Sequence, residues 1–292
     1  MKKQLIAAIA ALMLALSLGT LPARADETAP QAETPHTYPQ GILFPYSLLD
    51  AALAGNIDEY GNINYLKVKD DKNLANFIEA VGTADLKAFP TFDIDVTDPK
   101  TGRVTKTVTN RDAELVFWIN AYNACVIHTI TEHYPVKSVD KIDKFDTEKT
   151  HLIAGEKYSF AELRDKIAGF DPRALFALMS GSKGGFLPAK DAYRYSHINA
   201  SLDAAVRVFV NNPNNVNVSR IQNTVHVNEY FKLINDAFKK VTKSKNSGRW
   251  AGIRYVISAY VEKGADQRYL TNGEYQLEFA IVSHELNDNT HK

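Results

Sequence analysis

The chain has 292 residues, 34 basic and 34 acidic side chains, a formal net charge of zero and one cysteine. Balanced charge gives no electrostatic case for nucleic acid or an anionic membrane surface. The lone Cys125 excludes an internal disulfide and a thiolate zinc site, so stability has to come from packing.

The chain begins with an export pattern. Lys2 and Lys3 supply a positive start, Leu5 to Leu18 an apolar core, and Ala23-Arg24-Ala25 a cleavage site of small residues. Residues 1–25 are therefore expected to be a signal peptide of bacterial type, cut near Ala25, and the mature protein to be periplasmic or secreted. Its apolar core is too short for a spanning helix, and no later segment reaches about 18 uninterrupted apolar residues. Residues 26–40 are acidic, proline-rich and aperiodic, the composition of a disordered leader. Residues 41–288 are enough for a single domain with a sizeable core.

Within that domain, 46–54 is a short amphipathic helix and 55–65 is rich in turns. Residues 72–81 repeat the helical pattern, with Leu74, Phe77, Ile78 and Val81 at i, i+3, i+4 and i+7. Residues 92–109 alternate and break at Asp98-Pro-Lys-Thr-Gly102, which predicts a hairpin excursion from the core. Asn110 then caps the central helix, 111–134, which Pro135 ends. Residues 151–158 read as a second hairpin, and Ser159 with Glu162 as the capping box of a helix to about Ile167. Pro172 to Met179 is an apolar helix or strand, followed by the loop Ser180-Gly-Ser-Lys-Gly-Gly185. Helices are expected over 198–210, 228–238 and 249–261, with strands in 211–227 and 275–281. The fold class is α+β: a mainly helical single domain around a buried central helix, with short strands too scattered for a doubly wound sheet.

The central helix, RDAELVFWINAYNACVIHTITEHYP, is apolar enough to be buried yet holds Asn120, Asn123 and His128. A buried amide or imidazole costs a few kcal/mol unless hydrogen-bonded. The helix therefore either holds a polar network or lines a site. On an ideal helix Asn120 and Asn123 sit about 60° apart, and His128 lies about 80° from Asn120 on its other side. Cys125 and His128 share a face, but a mid-helix cysteine among Ala, Val and Ile reads as an inert filler unless the helix meets an open cleft. His151, His197, His226 and His284 are scattered, no four-residue histidine pair occurs, and neither a metal nor a cofactor is expected. The 180–185 loop offers backbone N–H groups to an anion or is a flexible connector; it lacks the spacing of a P-loop. Asp171-Pro-Arg173 is an Asp cap before a helix-starting proline, and Arg173 needs a carboxylate or carbonyl partner.

The stretch FWINAYNACVIHTITEHYPVKSV, with DPRALFAL, the glycine loop and the Ala-Tyr pair at 192–193, resembles the domain-of-unknown-function 547 family. The likeness runs in element order from about residue 41 to 287, and its specific part is the central helix. The resemblance implies a histidine where Leu175 stands and cysteines at the places of Ser180 and Gly185. It also sets His284 at the place of a closing tryptophan and keeps Asn287. It implies no particular reaction. Three readings follow. The first is a non-catalytic binding or structural protein in which Asn120, Asn123, His128 and Arg173 form a buried polar network beside a shallow pocket. Its partner would be an unidentified small molecule or periplasmic protein. The second is a hydrolase or acyl transferase with a divergent papain-like or transglutaminase-like site. There Ser180 or Ser182 would act with a histidine, and the loop amides would serve as oxyanion donors. The third is a Cys125–His128 dyad. Asn287 completes the set of candidate residues.

Overall fold

The axis of the molecule is α4 (Asn110–His133), with Asp112 in its first turn, where the helix dipole favours a negative charge. Val116, Phe117, Trp118, Ile119, Ala121, Val126 and Ile130 are all fully buried. A helix apolar on every side is stable only inside a core, and here the other elements wrap it. It stops one residue before Tyr134-Pro135, a cis peptide, because proline has no N–H to continue the ladder. The computed structural model describes residues 44–89, 94–97, 104–108, 110–241, 248–272 and 274–290. The expected signal peptide and leader lie outside the described residues.

On one side of α4 pack α1 (Tyr46–Leu53), the one-turn α2 (Tyr65–Val68) and α3 (Lys72–Gly82). The periodicity of α3 buries Leu74, Phe77 and Val81, and Asp71 caps it by accepting the N–H groups of Asn73 and Leu74. Edge-to-face contacts of Phe44 with Phe77 and Phe117 join these helices to α4. The expected 92–109 hairpin is present as β1 (Ile94–Thr97) paired antiparallel with β2 (Val104–Val108), its turn lying outside the described residues. The second hairpin, β3 (His151–Ile153) and β4 (Glu156–Tyr158), turns through Ala154 at φ 51° and Gly155 at φ 81°. Two positive φ values make a type I′ turn, whose twist matches that of the strands. The turn's N–H groups bond the carbonyls of Val81 and Gly82 and so finish α3.

The capping box at Ser159 and Glu162 starts α5 (Phe160–Phe170) as the sequence predicts. Pro172–Ala177 is a 3-10 helix, again begun by the Asp171 cap. α6 (Ile198–Val210) is followed by the hairpin β5 (Val216–Ser219) and β6 (Thr224–Asn228), then α7 (Phe231–Val241), α8 (Ala251–Tyr260) and α9 (Ala265–Asn272). β7 (Gln276–Ala280) returns to pair with β6 in parallel, giving the order β5-β6-β7. The sequence did not reveal α9, whose polar octapeptide ADQRYLTN buries little beyond Leu270. Helices α7 and α8 approach closely at Gly252, where an added Cβ would lie 2.0 Å from the Asn235 carbonyl oxygen. The fold is thus mainly helical α+β around the buried α4, with three small sheets at its periphery. Among the described residues no helix is long and apolar enough to cross a membrane.

Candidate functional site

The polar face of α4 is tied to backbone. Asn123 donates from Nδ2 to the Ala177 carbonyl at 3.0 Å and accepts the Met179 N–H on Oδ1 at 2.9 Å, so it brackets Leu178. Those two bonds hold 177–179 extended, and the 3-10 helix ends there. Asn120 takes both backbone groups of Tyr193 in the same manner, at 3.0 Å and 2.8 Å. Each amide thus reproduces one rung of a β-ladder, satisfying the backbone of two segments that could not otherwise be buried beside a helix. Beside them Leu49, Leu53, Ile127 and the 188–193 segment enclose a depression with room for little more than one water molecule.

The other predicted members do not join this pair. His128 is not buried: its side chain is 38% exposed and faces Glu132 at 3.5 Å, because a position about 80° from Asn120 lies at the edge of the wrapped face. Arg173 forms its own cluster at the surface, donating to Asp171, to Asp203 at 2.9 Å and to Asn199 at 2.7 Å. Its hydrogen bonds to Asp171 push its pKa further up, so its charge is permanent. Asn287, fully buried, donates to the Gly61 carbonyl at 2.9 Å and accepts the Tyr65 hydroxyl at 2.7 Å. The expected single network is divided: Asn120 and Asn123 line one depression, while His128, Arg173 and Asn287 each take other backbone or charged partners.

The glycine loop is a closed structure, in contrast to the expected flexible connector or anion cradle. The N–H groups of Ser180, Lys183, Gly184 and Gly185 donate to the carbonyls of Phe186, Glu285, Ser283 and Ser182. The Ser182 N–H donates to Ser180 Oγ at 3.2 Å. Gly185 has no space for a side chain, since a Cβ would lie 2.0 Å from Ser180 Oγ; Gly184 would strike the Ser283 carbonyl at 2.7 Å. Ser182 is fully buried and its hydroxyl bonds that of Tyr230 at 2.6 Å, with Ser180 Oγ 3.2 Å away. These serine hydroxyls meet each other, a tyrosine and carbonyl oxygens, not an imidazole.

His284 stands beside this tyrosine, its ring centroid 5.9 Å from that of Tyr230. Its Nδ1 is 2.8 Å from Asp140 and its Nε2 is 3.2 Å from Glu229. The hydrogen bond to Asp140 and then that to Glu229 raise the His284 pKa above its usual value. Partial burial pulls the Glu229 carboxyl up, and the bonds from His284 and the Val282 N–H, together with the charges of His284 and Lys232, outweigh this and leave it below its usual value. Sequence reasoning passed over Asp140, Glu229 and Tyr230, because their partners are 144, 55 and 48 residues away. Cys125 is closed inside the core, and burial pushes its thiol up to about 12, far from a nucleophile's range. Among the described residues no group of three His, Cys, Asp or Glu side chains is placed to hold a metal ion.

These features define a mainly helical α+β domain built on one buried helix whose amides hold down two extended segments. Residues 106–210, which contain Asn120, Asn123, Arg173, Ser180 and Ser182, match the model of a family described as protein of unknown function, DUF547. Over that stretch, about a third of the chain, the sequence is similar to the DUF547 family. No curated protein and no solved structure matches the chain.

Proposed function

We propose that this is an exported protein of the periplasm with a non-catalytic role, a scaffold or binding domain that works through its surface. The observation that carries the reading is the commitment of Asn120 and Asn123: each amide both donates to and accepts from the backbone, which is the work of a structural tie. The closed glycine loop and the inert Cys125 support it, as does the secretory pattern of residues 1–25. The balanced charge favours a neutral small molecule or a periplasmic protein as partner over a polyanion.

The competing reading, an acyl-transfer enzyme using Ser180 or Ser182, requires an imidazole within about 3 Å of a serine hydroxyl. Treating the native protein with a serine-reactive fluorophosphonate and with iodoacetamide separates the two. The expected result is no adduct on Ser180, Ser182 or Cys125 until the protein is unfolded. A stoichiometric adduct on any of them in the native state would replace the non-catalytic reading with an enzymatic one.

A further inference from the structure

The last described stretch of the chain lies across the glycine loop. The Ser283 and Glu285 carbonyls accept the N–H groups of Gly184 and Lys183, Leu286 bridges to Ser182, and the Asn287 N–H returns to the Gly181 carbonyl. Beyond the loop, Asn287 and Asn289 pair with both backbone groups of Ile63. These contacts are mostly single backbone bonds, and Ser283 and Glu285 are exposed. Two side chains attach the middle of the strap: Glu285, paired with Lys183 of the loop, and His284, bonded to Asp140 on one side and Glu229 on the other.

The chemistry of that attachment is asymmetric in pH. An ionised carboxylate only accepts hydrogen bonds, and a neutral imidazole carries a single N–H. Both nitrogens of His284 face carboxylate oxygens, so both bonds can form only when the ring is an imidazolium. Loss of the second proton-bearing N–H leaves a ring lone pair pointing at a carboxylate, and the bond becomes a repulsion. The charged and titratable groups around the ring are Asp140, Glu229, Tyr230, Lys232 at 3.7 Å behind Glu229, and the Lys183–Glu285 pair. None of them lies against Asp140 as a replacement donor: the two carboxylates in contact with the ring are acceptors, Lys183 is directed at Glu285, and Lys232 reaches only the far oxygen of Glu229.

We propose that His284 is the pH-operated clasp of a C-terminal strap, residues 282–289, that closes over the Ser180–Gly185 loop. With the imidazolium in place the middle of the strap is held to the loop, the 138–141 turn and the β6–α7 corner, while its far end stays anchored on Ile63, Gly61 and Tyr65. When the ring loses its proton, the clasp to one carboxylate opens and the strap frays from its middle. Opening frees the adjacent N–H groups of Lys183 and Gly184 and uncovers the buried Ser182 hydroxyl. The clasp is closed while the ring is protonated and opens as the pH rises through its pKa, which the two carboxylates hold above that of a free imidazole. This inference concerns the strap alone and does not depend on the non-catalytic reading.

The test is amide hydrogen exchange of the full chain across about pH 6 to 9, corrected for intrinsic base catalysis, together with the 15N chemical shifts of the His284 ring. Below the transition both ring nitrogens should carry protons. The Lys183 and Gly184 amides should lose protection by at least about tenfold across the His284 transition, while buried α4 amides stay protected. His284→Phe should show the low protection at every pH. Asp140→Asn removes one of the two charges that hold the proton, and should move the transition to lower pH, so the proposal stays testable if the phenylalanine variant does not fold. A ring transition at or below that of a free imidazole, or strap protection that is flat from pH 6 to 9 in the unaltered protein, would overturn it.

Discussion

Replacing Asn123 by alanine removes an amide that is 7% exposed and leaves two backbone groups behind, the Ala177 carbonyl and the Met179 N–H. Both residues are fully buried, so water does not reach these groups without opening the core. A buried donor or acceptor left unsatisfied costs about 1–3 kcal/mol. Two such groups, partly relieved by local relaxation, give an expected loss of about 2–4 kcal/mol. For a domain of this size each kcal/mol lowers the melting temperature by about 2–4 °C, so a fall on the order of 10 °C is expected. Urea unfolding with an unchanged slope would show that the loss is one of native stability. Asn120→Ala should cost less, about 1–2 kcal/mol, because its partner Tyr193 is only partly buried. A side chain kept for a ligand behaves otherwise, being near neutral or stabilising when removed. A change below about 0.5 kcal/mol for Asn123→Ala would refute the structural account and return the polar face of α4 to the list of ligand sites.

Gly252→Ala places a methyl group 2.0 Å from the Asn235 carbonyl oxygen, so α7 and α8 must separate. A loss of about 3 kcal/mol or more is expected by chemical denaturation, and an alanine variant as stable as the parent would show that the two helices are less tightly seated. Ala154 holds φ 51° ahead of Gly155 in a type I′ turn, where Asn is the favoured residue. Ala154→Asn should raise stability by about 0.5–1 kcal/mol, and no rise in the melting temperature would count against stored strain at that turn. His151 stacks on Phe160 at 4.0 Å, and burial, then the nearby His128, lowers its pKa to about 4. Its folded pKa lies below the unfolded value near 6.5, so the unfolded chain takes up the proton first. Stability is therefore intact above about pH 6.5 and falls as the pH drops from 6.5 towards 4. His151→Phe should flatten that acid limb of the stability profile; an unchanged limb would assign the loss to other groups.

Much of the local structure was legible because its causes are local. The i, i+3, i+4 spacing of 72–81, the Ser159–Glu162 capping box and the alternation around 98–102 each follow from residues within one or two turns of each other. The burial of α4 was legible for a related reason, since a helix apolar all round has nowhere else to go. The cost of its amides was equally clear from composition. What paired with them was not, because the Asn123 partners are 54 and 56 residues away and are backbone groups, which leave no mark in a sequence. A helical wheel also carried His128 inside, although the wrapped face ends before it.

The sequence by itself determined the helical framework, the buried axis and the need to satisfy two amides within it, since short-range periodicity and the cost of desolvation act on any chain with these residues. Only the tertiary structure decided that the glycine loop is closed, that β7 pairs with β6 in parallel, and that His284 stands between Asp140 and Glu229. Each of these depends on segments about 50 to 150 residues apart meeting in space, and hydrogen-bond partners at that separation are chosen by packing, with no local pattern to announce them.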